Sequence, residues 1–119
     1  MSMNGRERVV VTGVGAVTPL GNDAETYWEN LVAGKSGAGP ITLFDPAEYP
    51  VTFACELKDF DPTRWLDRRK ARKMDRFAQM IVAAARMAEE DSGIDVEAEE
   101  NRCSALGVAF FSSYTAQME

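Results

Sequence analysis

The segment from Val9 to Gly21, VVVTGVGAVTPLG, constrains the fold more than any other part of the chain. It opens with three consecutive valines, and such a continuous β-branched run is typical of a strand buried on both faces of a sheet. Gly13 and Gly15 then allow a sharp backbone turn, and Thr18-Pro19 prevents a helix from starting at once. The segment therefore predicts a buried strand, a glycine turn and a helix that begins only after Gly21.

A dinucleotide-binding turn is the alternative interpretation of the same glycines. That fingerprint, G-x-G-x-x-G, leads directly into a helix whose N-terminus binds a pyrophosphate. Here Thr18 stands at the third glycine position and Pro19 follows it. We therefore predict no nicotinamide or flavin cofactor. Taken alone, the segment is equally typical of an ordinary buried strand that ends in a glycine turn.

The length and composition indicate a globular chain of one domain or less. It has 119 residues, 45% of them hydrophobic, and typical domains have roughly 100–200 residues. No apolar run approaches the roughly 18 residues of a membrane span, and the start, MSMNGRER, lacks the apolar stretch of a signal peptide. We therefore predict a cytoplasmic location and no membrane span.

Histidine is absent from the sequence, and this excludes the most common catalytic and metal-binding sites. A chain without histidine has no Ser-His or Cys-His pair and no ordinary zinc site. Cys55 and Cys103 lie far apart, with no second cysteine close to either. We interpret them as buried, reduced thiols. Neither a metal nor another cofactor is predicted.

Two amphipathic helices are predicted between the first strand and the end of the chain. In the first, residues 22–33, Asn22 is a suitable N-cap and Glu25 completes a capping box. Its apolar residues share one face, which predicts Tyr27 and Trp28 as core residues.

The second predicted helix covers residues 72–91 and carries an apolar stripe rich in alanine. Both helices precede a glycine, Gly34 and Gly93, at the position where a left-handed residue commonly ends a helix. Short strands are predicted at residues 51–57 and at the apolar run Ala105–Phe111. Because a strand buried on both faces needs covering layers, we expect the chain to be part of a larger α/β domain.

One short stretch, residues 64–76, has a charge opposite to that of the whole chain. This basic segment has seven basic and two acidic residues, whereas the rest of the chain has six basic and seventeen acidic ones. The basic residues are Arg64, Arg68, Arg69, Lys70, Arg72, Lys73 and Arg76. One interpretation is a solvated helix start whose charges pair internally. A pI near 4.7 argues against nucleic acid, and a compact patch favours docking of an acidic or phosphorylated carrier protein.

Four segments in collinear order resemble the β-ketoacyl-[acyl-carrier-protein] synthases of the type II, elongating class. They read VVVTGVGAVTPLGN, AGKSGAGPITLFD, FDPAEYPVTFACELKDFDP and LDRRKARKMDRFAQM. The resemblance implies that residues 1–119 are the N-terminal segment of a thiolase-like layered α/β domain, incomplete here, which forms a homodimer at full length. It also implies decarboxylative Claisen condensation in fatty-acid elongation, with acyl carrier protein as the partner.

The family's catalytic residues have no counterparts in this sequence. The resemblance implies a nucleophilic cysteine in a T-A-C-[ST] motif, two histidines and a supporting lysine, and neither Cys55 nor Cys103 matches that motif. No catalytic residue is therefore assigned, and we expect the chain alone to be inactive. Where the family has a glycine-rich run, this chain reads FSSYTA at residues 111–116. A polyketide ketosynthase, a chain-length-factor subunit and a non-catalytic carrier-binding fragment thus stay open as alternatives.

The resemblance assigns two groups of site residues. Arg69, Arg72 and Lys73 match the positions that face the acidic helix of acyl carrier protein and its phosphopantetheine phosphate. The i, i+3 spacing of the two arginines is compatible with one helical face. Tyr114 matches the residue at the bottom of the acyl tunnel, where its bulk limits chain length. The alternative for Tyr114 is packing in the dimer interface.

Overall fold

The computed structural model describes residues 10–95. Its elements are α1 (Ala24–Val32), β1 (Gly39–Pro40), β2 (Phe53–Ala54), a 3₁₀ turn (Pro62–Arg64), α2 (Arg68–Ala71) and α3 (Arg76–Ser92). The two strands pair antiparallel, with Gly39 opposite Ala54. Three predictions, the strand at Ala105–Phe111 and the roles of Cys103 and Tyr114, lie outside the described residues.

The valine run does not form a regular strand in the described part of the chain. Val10 and Val11 are 60% and 83% exposed, so the prediction of a buried strand is wrong at these two positions. A strand needs a neighbour that accepts and donates its backbone hydrogen bonds. The described sheet contains only β1 and β2, and Val10 and Val11 pair with neither strand.

The segment around Gly13 and Gly15 packs directly against the backbone of α3, and the predicted sharp turn is wrong, because residues 10–17 form no turn. A Cβ atom on Gly15 would overlap the Ala84 carbonyl oxygen and lie 2.8 Å from the Ala88 nitrogen, and Gly13 approaches the helix equally closely. Between them, the Val14 N–H donates to Asp91 Oδ2 at 2.9 Å. The glycines therefore serve close packing of this segment against the helix.

Helix α1 begins one residue later than the predicted capping box. Its N-cap is Asp23, whose Oδ1 accepts from the Thr26 N–H at 2.7 Å and whose Oδ2 accepts from the Thr26 hydroxyl at 3.0 Å. The amide of Asn22 instead donates to the Lys58 carbonyl at 2.7 Å. Asn22 therefore ties the helix start to a distant loop, and the adjacent aspartate takes the capping role.

The ends of α1 and α3 agree with the sequence. Gly34 and Gly93 have φ values of 70° and 65°, in the left-handed region; Gly34 follows Ala33, the C-cap of α1, and Gly93 is the C-cap of α3. The helix predicted at residues 72–91 begins four residues later, at Arg76, because residues 72–75 form a turn between α3 and the short helix α2, which was not predicted.

The described core is small, and α1 contributes little to it. The buried apolar side chains are Ala71, Ala83 and Met87, on α2 and α3. Trp28 is 63% exposed, so its prediction as a core residue is wrong, whereas its neighbour Tyr27 is half-buried. The reason is that no second layer covers this face of α1 within residues 10–95.

Cys55 departs from its predicted burial as well, since its side chain is exposed. It follows β2 directly, and β1 and β2 pair over only two residues each, so nothing described covers that position. Of the helices described here, none combines the length and apolar character needed to cross a membrane.

Candidate functional site

The basic segment runs across three consecutive elements of the fold. Arg64 ends the 3₁₀ turn, the next basic residues lie in α2 and the turn after it, and Arg76 is the first residue of α3. All seven basic residues are exposed. The opposite side of α2 is held by Ala71, which is only 6% exposed. The segment therefore has one apolar anchor and a charged outer surface.

An aspartate fixes the beginning of this region. Asp61 is the N-cap of the 3₁₀ turn, and its Oδ1 accepts from the Thr63 hydroxyl at 2.7 Å and the Thr63 N–H at 2.9 Å. These bonds hold the pKa of Asp61 below its ordinary value, and the charges of Arg64 and Arg68 lower it further. The carboxylate thus stays ionised at the entrance to the basic segment.

The three predicted docking residues lie together on α2 and the turn that follows. Arg69 is in α2, and Arg72 is its C-cap with a helical backbone (φ −65°, ψ −20°). The Arg72 N–H donates to the Arg68 carbonyl at 3.1 Å, and the Lys73 N–H donates to the Lys70 carbonyl at 3.0 Å. Arg69 and Arg72 are therefore one helical turn apart, with Lys73 next to them.

A glutamine that the sequence analysis did not single out holds the end of α2. Gln79, on the first turn of α3, donates through Nε2 to the Ala71 carbonyl at 2.8 Å and to the Met74 carbonyl at 3.2 Å. Carbonyls at a helix C-terminus lack intrahelical partners, and this amide supplies one. No sequence motif marks Gln79, because its side chain finds the Ala71 and Met74 carbonyls only when the chain is interrupted at residues 72–75.

The charges of the basic segment are not neutralised within the described residues. There, the one ion pair joins Arg86 to Glu89 on α3, at 3.5 Å. The two acidic residues of the segment, Asp67 and Asp75, precede α2 and α3 and make no side-chain capping bond. The interpretation of an internally paired helix start therefore does not hold in this part of the chain.

Arg76 differs from the other basic residues because it faces the body of the chain. Its guanidinium carbon lies 5.8 Å from the centre of the Phe60 ring, a cation–π distance. Nearby, Glu56 accepts from the Thr42 hydroxyl at 2.7 Å and from two backbone N–H groups, which lowers the pKa of Glu56. The charge of Arg76 adds a smaller lowering.

The sequence matches the family model described as Beta-ketoacyl synthase, N-terminal domain, over residues 6–119. It is 46% identical over 107 residues to 3-oxoacyl-[acyl-carrier-protein] synthase 2 of Coxiella burnetii, which covers 90% of this chain and 25% of that protein. The corresponding enzyme of Synechocystis is 48% identical over 87 residues, 73% of this chain and 21% of that protein. The chain belongs to the β-ketoacyl synthase family, and it spans about a quarter of the length of these curated relatives.

Two solved structures agree in fold. The ishigamide ketosynthase/chain length factor is 44% identical with a TM-score of 0.72, over 78% of this chain and 23% of that one. A type II polyketide synthase acyl-carrier protein in complex with its ketosynthase, bound to the hexaketide, is similar at 32% identity with a TM-score of 0.58, over 77% and 22%. The predicted thiolase-like α/β class is confirmed, with the described helices and the small antiparallel sheet as part of it.

Proposed function

We propose that this chain forms the N-terminal part of a 3-oxoacyl-[acyl-carrier-protein] synthase and that its basic segment binds acyl carrier protein. The observation that carries the proposal is an exposed cluster of seven cations, none of which forms a close ion pair within residues 10–95, on a chain of net charge −6. A local positive patch on an acidic molecule attracts an acidic partner without making the whole surface adhesive.

The chemistry of Arg69, Arg72 and Lys73 suits this partner. An arginine presents a rigid fork of N–H donors that matches carboxylate and phosphate oxygens, and a lysine adds a mobile point charge. The two arginines engage acidic side chains one helical turn apart, and Lys73 is adjacent to receive the phosphopantetheine phosphate. The similar solved complex of a ketosynthase with its acyl-carrier protein supports the choice of partner.

A charge-reversal experiment tests the docking proposal. Arg69→Glu, Arg72→Glu and Lys73→Glu together should weaken binding of holo acyl carrier protein by more than about tenfold at low ionic strength, and less as salt screens the charges. The matched control reverses three exposed cations elsewhere, Lys35, Lys58 and Arg86. Titration calorimetry measures both variants, and equal losses in the two would contradict a specific docking surface.

In the whole protein, the proposed reaction joins two carrier-bound groups. An acyl group is held on an enzyme cysteine, and a malonyl thioester loses its carboxylate as carbon dioxide. The electron pair released attacks the acyl carbonyl carbon, so a carbon–carbon bond forms and the cysteine thiolate leaves. The present chain, with no histidine and no T-A-C motif, supplies scaffold and docking surface to this reaction. We further propose that the whole protein is cytoplasmic and homodimeric.

A polyketide ketosynthase or chain length factor is the second candidate. The likeness to the ishigamide ketosynthase/chain length factor favours it, because that structure shares 44% identity with this chain. Product analysis of the whole protein with malonyl carrier protein separates the two functions. A single condensation per cycle supports fatty-acid elongation, and repeated condensation without reduction supports polyketide synthesis.

We also propose that Tyr114 limits the length of the acyl chain that the whole protein accepts. A phenol at the bottom of an acyl tunnel excludes several methylene groups, each contributing about 0.8 kcal/mol when buried. The whole protein carrying Tyr114→Gly should then accept longer acyl chains relative to short ones. Unchanged relative rates would instead favour packing of Tyr114 in a dimer interface.

A further inference from the structure

We propose that Gln79 is a positioning residue for the docking surface. Its side-chain amide fixes the break between α2 and α3, and this break sets how Arg69, Arg72 and Lys73 are presented to a partner. The inference rests on the proposed function of the basic segment. It concerns a residue that bears no charge and that lies behind the surface it controls.

The contacts of Gln79 join three pieces of chain. Its own N–H donates to the Asp75 carbonyl at 3.0 Å and so belongs to the first turn of α3. Its Nε2 donates to the carbonyl of Ala71, the last residue of α2, at 2.8 Å, and to that of Met74 in the turn, at 3.2 Å. The side chain is half-buried, so water competes poorly for these two acceptors.

The Gln79 amide acts beside other contacts at the break. Helix α2 has four residues, and a helix this short is marginal without tertiary support, which the buried Ala71 and the neighbouring 3₁₀ turn supply. The residues that precede α2 and α3, Asp67 and Asp75, provide no side-chain capping bond. The Met74 N–H donates to the Ala71 carbonyl at 3.2 Å, a longer bond than that of Gln79 to the same oxygen. Of these two bonds to the end of α2, the shorter one therefore comes from a residue of α3.

Loss of the Gln79 hydrogen bonds should raise the dissociation rate of the complex and leave its association rate unchanged. Removal of an uncharged donor leaves the charge of the basic segment unchanged, so long-range attraction and the association rate are preserved. The three cations must then be ordered at the moment of contact, and this ordering cost shortens the lifetime of the complex. Charge reversal does the opposite, because it acts first on the association rate and its dependence on salt.

The test uses Gln79→Met, which keeps the length of the side chain and removes both donated bonds. Surface plasmon resonance of the whole chain against holo acyl carrier protein should give a dissociation rate raised about fivefold, with the association rate and its salt dependence unchanged. Gln79→Glu, whose carboxylate cannot donate when ionised, should raise the dissociation rate as well. The control is Ser92→Ala, which removes hydrogen bonds at the opposite end of α3 and should leave both rates unchanged.

Each other outcome has a defined meaning. An unchanged dissociation rate in both Gln79 variants overturns the positioning role. A smaller binding-competent fraction with an unchanged dissociation rate also overturns it, because that result is general loss of folded chain. If the triple charge reversal leaves binding unchanged, the docking function itself fails. If the reversal weakens binding but the Gln79 variants do not, only the inference about Gln79 fails.

Discussion

At the scale of single residues, the chain at Gly13 and Gly15 lies so close to the backbone of α3 that no side chain fits between them. Gly15 is required there because the backbone of α3 occupies the space of a side chain. Its role is thus to allow contact between two segments, while the neighbouring Val14 N–H adds a hydrogen bond to Asp91. Glycine is needed at these two positions because it has no side chain, and this close packing is sufficient to explain why glycine stands there.

Gly15→Ala should therefore destabilise the chain by about 2 kcal/mol, since overpacking a closely packed contact typically costs 1–3 kcal/mol. Gly39→Ala is the matched control, because a Cβ at Gly39 meets nothing within 4 Å. Urea denaturation measures the free energy of unfolding of both variants. Equal values for the two would show that α3 moves freely away from this segment.

At the scale of elements, hydrogen bonds between distant residues decide where the helices begin and end. Gly34 and Gly93 are predictable because a left-handed terminal residue is a local property. The choice of Asp23 over Asn22 as N-cap depends on the carbonyl of Lys58, 36 residues away in sequence from Asn22.

The break between α2 and α3 is also set by contacts that a sequence pattern does not contain. The residues of the turn at 72–75 are mostly good helix formers, so the pattern predicts that the second helix begins at residue 72 and does not predict α2 as a separate helix. The proposed docking residues, Arg69, Arg72 and Lys73, could be singled out from sequence, because they lie in one charged stretch that resembles the family. Gln79 could not, since its role depends on two carbonyls that become free only where the helix is interrupted.

The pairing of β1 and β2 should depend on pH through Glu56. Its carboxylate follows β2 and accepts bonds from Thr42 and Leu43 after β1, which lowers its pKa in the folded chain. A depressed folded pKa contributes stability that is fully present above the unfolded pKa of about 4.3 and is lost as pH falls through the folded pKa. NMR titration should show a pKa of Glu56 lower than its ordinary value.

Thr42→Val is the sharpest variant for this prediction, because valine keeps the shape of threonine and removes the hydroxyl donor. The pKa of Glu56 should rise toward its ordinary value, so the loss of stability on acidification should be smaller and should be complete at a higher pH. An unchanged titration of Glu56 in Thr42→Val would show that the hydroxyl bond is not what stabilises the carboxylate.

At the scale of the whole molecule, the described part resembles a surface layer of a larger fold. Its buried apolar side chains are few, and large apolar residues from several elements are exposed, among them Trp28, Leu43 and Phe53. The chain spans about a quarter of the length of its curated relatives. Exposed large apolar side chains of this kind are candidates for contact with a further layer or partner.

The chain alone should form no acyl-enzyme. Nucleophilic cysteines need a neighbouring base or cation that favours the thiolate, and the exposed Cys55 has no histidine anywhere in the chain to serve it. Mass spectrometry after incubation with an acyl thioester should show the unmodified mass, with iodoacetamide as a positive control for thiol access. A stable acyl adduct on Cys55 or Cys103 would contradict this expectation.

The two tryptophans report on separate parts of the surface. Trp28 is 63% exposed on α1, whereas Trp65 is half-buried, directly after Arg64 at the start of the basic segment. The backbone N–H of Trp65, the C-cap residue of the 3₁₀ turn, donates to the Pro62 carbonyl at 3.1 Å. With Trp28→Phe, the one remaining indole, that of Trp65, fluoresces from the edge of the proposed docking surface. Spectral shifts then report occupation of that surface by a partner, in a chain that carries no added dye.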